Sequence, residues 1–119
     1  MRGMTQPVFV INDERFTQHL EGVLHLENGR RFKAFHSVLN DPTLNDKWSE
    51  LEPRLASKDE LALVHTRDHI ERVAQTAGKP LASFDLDTQT TAKSYDVSRL
   101  GVGGVFSLLD GIWTGKANR

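Results

Sequence analysis

The chain has 119 residues, with 15 lysines and arginines against 16 aspartates and glutamates, a formal charge of −1. With no charge excess, and Arg30, Arg31 and Lys33 as its one dense basic run, it is not built for nucleic acid or an acidic membrane. Cysteine is absent, which excludes disulfides, a thiolate metal site and a cysteine nucleophile and suits a cytoplasmic protein; no apolar run approaches the roughly 18 residues of a membrane span.

Met1 to Gln6 is expected to be a disordered leader, leaving residues 7–119 as one structural segment. Val8 to Ile11 is short, apolar and β-branched, which predicts a buried strand that Asn12 and Asp13 end. Phe16 to Leu26 is weakly periodic, is interrupted by Gly22 and lacks a strong cap, so it reads as loop. Asn28 is placed to cap a helix from Gly29 to Leu39, with Phe32, Phe35, Val38 and Leu39 on one inward face and Asp41-Pro42 as its stop.

Residues 43 to 52 are polar apart from Leu44, Trp48 and Leu51, and read as a connector with one helical turn from Asp46. Pro53 to Ala56 is expected to form a second strand. Ser57-Lys-Asp-Glu60 is a capping box, which predicts a short helix from Lys58 to Val64. Thr66, with Asp68 close behind, caps another helix to Ala77 that buries Ile70, Val73, Ala74 and Ala77 before Gly78-Lys-Pro80 stops it.

The strongest pattern lies in the last third. Val97, Leu100, Gly101, Gly104, Val105, Leu108, Leu109 and Ile112 recur at helical spacing, which predicts a helix over 94–113 with Ser94 as its N-cap and Asp96 in its first turn. A helix-interior glycine costs about 1 kcal/mol relative to alanine, so Gly101 and Gly104 mark a close approach by another part of the molecule. So long an apolar stripe calls for a large partner.

Few residues offer chemistry. His65 and His69 have the i, i+4 spacing of a zinc-binding helix pair, with Asp68 or Glu71 to supply an oxygen. The intervening Thr66, Arg67 and Asp68 lack the glutamate of His-Glu-x-x-His, and His65 falls at a helix break, so packing or capping is expected and metal binding is not. His19 and His25 form a looser pair in the loop. Gly101-Val-Gly-Gly104 lies inside a helical stripe without a preceding strand or a following Lys-Ser/Thr, which excludes a phosphate loop, and no Gly-x-Ser-x-Gly elbow is present.

Four stretches, in order, resemble the histone deacetylase superfamily, which also takes in acetoin-utilisation proteins and acetylpolyamine amidohydrolases. Pro7 to Ile11 sits where the family has its first strand. His25-Leu-Glu27-Asn-Gly-Arg-Arg31-Phe32 is similar to His-Pro-Glu-Arg-Pro-x-Arg-Leu, with Leu26 and Gly29 replacing the prolines. Ala56 to Ile70 is similar to Ala-x-x-Glu-Leu-x-x-Val-His-x-x-x-Tyr-Ile, with His65 on the family's His. Asp87-Thr88, Ser94 and the helix carrying Gly101 and Gly104 follow the family's Asp-Thr or Asp-Cys pair, serine and glycine-rich helix.

The resemblance implies an open α/β fold of the arginase/deacetylase kind with a mainly parallel sheet, of which this stretch forms an N-terminal part, mostly helical with about two short strands. It implies that Asp87 accepts hydrogen bonds from the substrate backbone at the tunnel rim, with Asp85 the register alternative and solvation of a loop the plain one. His25, Glu27 and Arg31 are implied to form a structural knot near the entrance. The family's zinc-binding histidines and aspartates follow in later motifs, so the chain is expected to hold no cofactor and to lack catalysis alone, while the full-length family uses zinc to hydrolyse N-acetyl-lysine or acetylpolyamine amides. The uncovered stripe of helix 94–113 is expected to drive self-association. The alternatives are a naturally short oligomerisation or protein-interaction module and an unrelated small helical regulator.

Overall fold

The computed structural model describes residues 6–117, so the expected leader falls outside the described residues apart from Gln6. Strand β1 (Val8–Val10) pairs in parallel with β2 (Trp48–Glu50), Val8 facing Trp48 and Val10 facing Glu50. Parallel partners need a long crossover, and helix α1 (Arg30–Leu39) supplies it. A 3-10 turn, Glu14–Gln18, occupies part of the expected loop.

Helix α1 starts one residue later than expected, with Gly29 and not Asn28 as its N-cap and no side-chain cap bond; Asn28 lies just outside it, where its Oδ1 accepts the Arg30 N–H at 2.9 Å. The inward face of α1 is narrower than its apolar pattern: Phe32 meets Phe16 with ring centroids 5.8 Å apart, and Leu39 is buried, while Phe35 and Val38 are exposed. The Leu39 carbonyl accepts the Trp48 indole N–H at 3.0 Å, tying α1 to β2.

The second strand is therefore at 48–50, where a connector was expected, and 53–56 is not a strand. Residues 54–56 instead lie along the last helix, α4 (Ser94–Trp113). The Ala56 N–H donates to the Arg99 carbonyl at 3.0 Å, and the Arg99 Nε–H donates back to the Ala56 carbonyl at 2.8 Å. A Cβ on Gly103 would stand 1.6 Å from the Arg54 carbonyl oxygen, so only glycine allows this approach.

The capping box forms as expected: Ser57 Oγ accepts the Glu60 N–H at 3.1 Å and the Glu60 carboxylate accepts the Ser57 N–H at 2.9 Å. Both oxygens of Glu60 also take the Arg54 guanidinium, which with the Ser57 N–H holds its pKa down at about 2. Helix α2 (Lys58–Leu61) is shorter than the expected run to Val64. Helix α3 (Arg67–Ala74), capped by Thr66, also ends early, so that Thr76 is buried and Ala77 is exposed. A two-residue antiparallel ribbon, β3 (Ala82–Ser83) with β4 (Gln89–Thr90), raises the strands among the described residues to four short ones in two sheets.

In α4 the covered face runs through Leu100, Gly103, Gly104 and Gly111. Gly104 meets Ile11 at 3.3 Å from its virtual Cβ, as the close-approach expectation requires, whereas Gly101 has only the edge of Phe16 at 3.9 Å and is not a contact that demands glycine. Ser94 is the first helical residue and not the N-cap, because its hydroxyl is engaged elsewhere. Val102, Val105, Leu109, Ile112 and Trp113 remain exposed, Trp113 at 92%.

The molecule is a slab of 56 × 31 × 19 Å with a radius of gyration of 16.7 Å, against about 13 Å for a compact chain of this size. Its accessible surface, 8687 Å², exceeds the roughly 6,500 Å² typical of its mass. Leu24, Leu26, Leu86 and Trp113 are among the large apolar side chains left exposed.

Candidate functional site

The β3–β4 ribbon carries the aspartates out on a tight loop. The Phe84 N–H donates to the Thr88 carbonyl at 2.9 Å, closing the loop, and Asp85 Oδ1 accepts the N–H groups of Asp87 and Thr88 at 2.8 and 2.7 Å. Those donors, Asp87 first, lower the Asp85 pKa below its ordinary value and keep it an anion at the loop's centre. The two aspartates have thus separated in role. Asp85 shapes the loop, while the exposed Asp87 carboxylate accepts no hydrogen bond among the described residues.

The knot forms beside this loop. His25 Nδ1 accepts the Glu27 N–H at 3.0 Å, so in the neutral ring the proton sits on Nε2, which lies 3.1 Å from the Asp87 carbonyl oxygen and donates to it. Asn28 Nδ2 donates to the His25 carbonyl at 2.9 Å, and the Glu27 carboxylate pairs with Arg31. Both partners of that pair are exposed, so it orients the turn more than it stabilises it. His25, Glu27 and Arg31 are therefore brought together, and His25 joins them to Asp87.

A cleft of about 580 Å³ opens between the loop and α3, lined among others by His19, His25, His69, Arg72, Phe84 and Asp87. Arg72 lies over the Phe84 ring at 5.7 Å and braces the base of the loop. Thr90, also on the cleft, has a buried hydroxyl with no partner among the described residues, and so does Tyr95.

Deeper in, His19 Nδ1 lies 2.7 Å from Ser94 Oγ, which accepts the Thr91 N–H at 2.8 Å. Burial, then the charge of His25, pushes the His19 pKa down, and a neutral ring can accept the Ser94 hydroxyl proton. The Leu20 N–H donates to Thr91 Oγ1 at 3.1 Å, completing a polar seam between the first loop and the start of α4. His19 and Ser94 are 75 residues apart, and no local signal links them.

His65 and His69 stand with ring centroids 5.2 Å apart, His65 outside the helix and His69 within α3. Glu71, one of the two oxygen donors considered for them, is taken by Lys58. Among the described residues no three His, Asp or Glu side chains gather in a way that could hold a metal ion. Gly101 and Gly104 lie within α4 and do not line the cleft, and no described helix is long and apolar enough to cross a membrane.

The histone deacetylase domain family matches residues 25–119. A probable deacetylase of Methanothermobacter thermautotrophicus is 32% identical over 80 residues, covering 67% of this chain and 24% of its own length. Acetoin utilization protein AcuC of Bacillus subtilis is 35% identical over 101 residues, covering 78% of this chain and 26% of its own. The crystal structure of the HDA15 HD domain superposes with a TM-score of 0.76 at 25% identity, over 93% of this chain and 33% of that one. The architecture is thus that of part of an α/β deacetylase fold, and the chain spans about a quarter of the length of the curated relatives it matches.

Proposed function

Because the chain belongs to the histone deacetylase domain family, we propose that it forms part of the substrate entrance of a zinc-dependent deacetylase that hydrolyses N-acetyl-lysine or acetylpolyamine amides. The observation that carries this reading is the free Asp87 carboxylate at the tip of a loop whose other acid, Asp85, is consumed in holding its shape. A carboxylate carried on a shaped loop and without a partner among the described residues is suited to accept N–H donors from an incoming peptide or polyamine, with charge-assisted bonds stronger than neutral ones. Asp87 binds and orients; metal binding and hydrolysis fall to other parts of the family fold, and no step of the hydrolysis is assigned to residues of this chain. The lack of cysteine suits a reducing compartment, and we place the protein in the cytoplasm.

The exposed stripe of α4 supports a second reading, in which the chain is a non-catalytic module that pairs with another copy through that face. Assay of the native gene product on an acetyl-lysine peptide and an acetylated polyamine, with zinc content read on the same sample, separates the two. Acetate release with bound zinc is expected. A metal-free, inert dimer would overturn the first reading in favour of the second.

A further inference from the structure

We propose that His25 is a positioning residue, fixing where the Asp87 carboxylate stands by holding the loop's backbone through Nε2. The loop's own bonds, from Asp85 Oδ1 to two N–H groups and from Phe84 N–H to the Thr88 carbonyl, determine its shape but not its place on the molecule. Packing at the tip does not place it either, since Leu86 is 98% exposed and Leu26, on the facing turn, is also 98% exposed. What crosses from one loop to the other at the tip is the bond from His25 to the Asp87 carbonyl, 62 residues away in sequence.

The donor is itself well fixed. The Glu27 N–H occupies Nδ1 and thereby sets the tautomer, while the Asn28 amide holds the His25 carbonyl. The main chain of the first loop is in effect wired through one imidazole to the main chain of the second. Freed from it, Asp87 would sweep out a larger volume and meet a substrate N–H less often in the right place. This functional consequence rests on the deacetylase reading above; the tether itself does not.

Nitrogen-15 and amide-exchange NMR of the full chain tests the tether without any activity. The wild-type imidazole should be protonated at Nε2 and bare at Nδ1. His25→Ala should speed amide exchange at Asp87 and Thr88 by about five- to tenfold, the loss of one hydrogen bond of ordinary strength, while α3 and α4 stay unchanged. His25→Gln, which keeps a donor near the place of Nε2, should restore slow exchange. A proton on Nδ1 in the wild type, or unchanged exchange in His25→Ala, would overturn the proposal. In the native gene product His25→Ala should raise KM and leave kcat nearly unaltered, with His25→Gln recovering KM. If that product releases no acetate, the deacetylase reading fails while the exchange data still decide the tether.

Discussion

Gly103 and the Arg54 carbonyl oxygen are so close that a β-carbon on the glycine would stand 1.6 Å from that oxygen. The contact lets the Ala56 N–H reach the Arg99 carbonyl, which joins the 54–56 segment to α4. Gly103→Ala must push the two backbones apart, and the expected loss is about 3 kcal/mol or more. Gly101→Ala has open space, with Phe16 at 3.9 Å, and should gain up to about 1 kcal/mol in helix propensity. Urea midpoints of the two variants check both; equal effects would mean that segment 54–56 does not pack on the helix at Gly103.

The Asp87 loop should loosen in acid. Asp85 has a folded pKa below its ordinary 3.8, so its contribution is fully present above 3.8 and is lost as pH falls through the folded value. Amide exchange at Asp87 and Thr88, corrected for its intrinsic pH dependence, should lose protection below that ordinary value, and Asp85→Ala should remove the protection at every pH. An unchanged profile in Asp85→Ala would show that the loop is shaped by something else.

The open face of α4 should matter for association and not for folding. Val105 and Leu109 are 57% and 54% exposed, and exposed positions of this kind usually change stability by no more than about 0.5 kcal/mol each. Val105→Ser with Leu109→Ser should leave the urea midpoint nearly in place and shift the sedimenting species of the isolated chain towards monomer. A large fall in stability with no change in association would mean that the face is packed within the chain.

What could be read from the residues was local. The capping box at Ser57 and Glu60, the Thr66 cap and the 3.6-residue period of 94–113 act within a few residues, and each helix begins where its signal lies, although α2 and α3 end sooner than expected. The second strand could not be read so, because Trp48-Ser-Glu50 is extended by pairing with Val8–Val10 across the sheet and not by its own composition. Ser94 looked like a cap, but its hydroxyl answers to His19, far away in sequence. The helix pattern named the apolar positions of α4 without saying which adjoining face is covered; it singled out Gly101 and passed over Gly103, since only the path of residues 54–56 tells them apart. At the candidate site the residues were legible through resemblance, and the division of labour between Asp85 and Asp87 became visible only once the loop closed.

The most direct test of the account is the kinetics of the native gene product on an acetyl-lysine peptide, wild type against Asp87→Ala. Acetate release is expected, with kcat/KM falling about ten- to a hundredfold in the variant through KM, the size expected for losing hydrogen bonds to a charged group. Hydrolysis with Asp87→Ala as efficient as wild type would contradict the role given to this loop, and no hydrolysis of any acetylated amide would contradict the deacetylase reading itself.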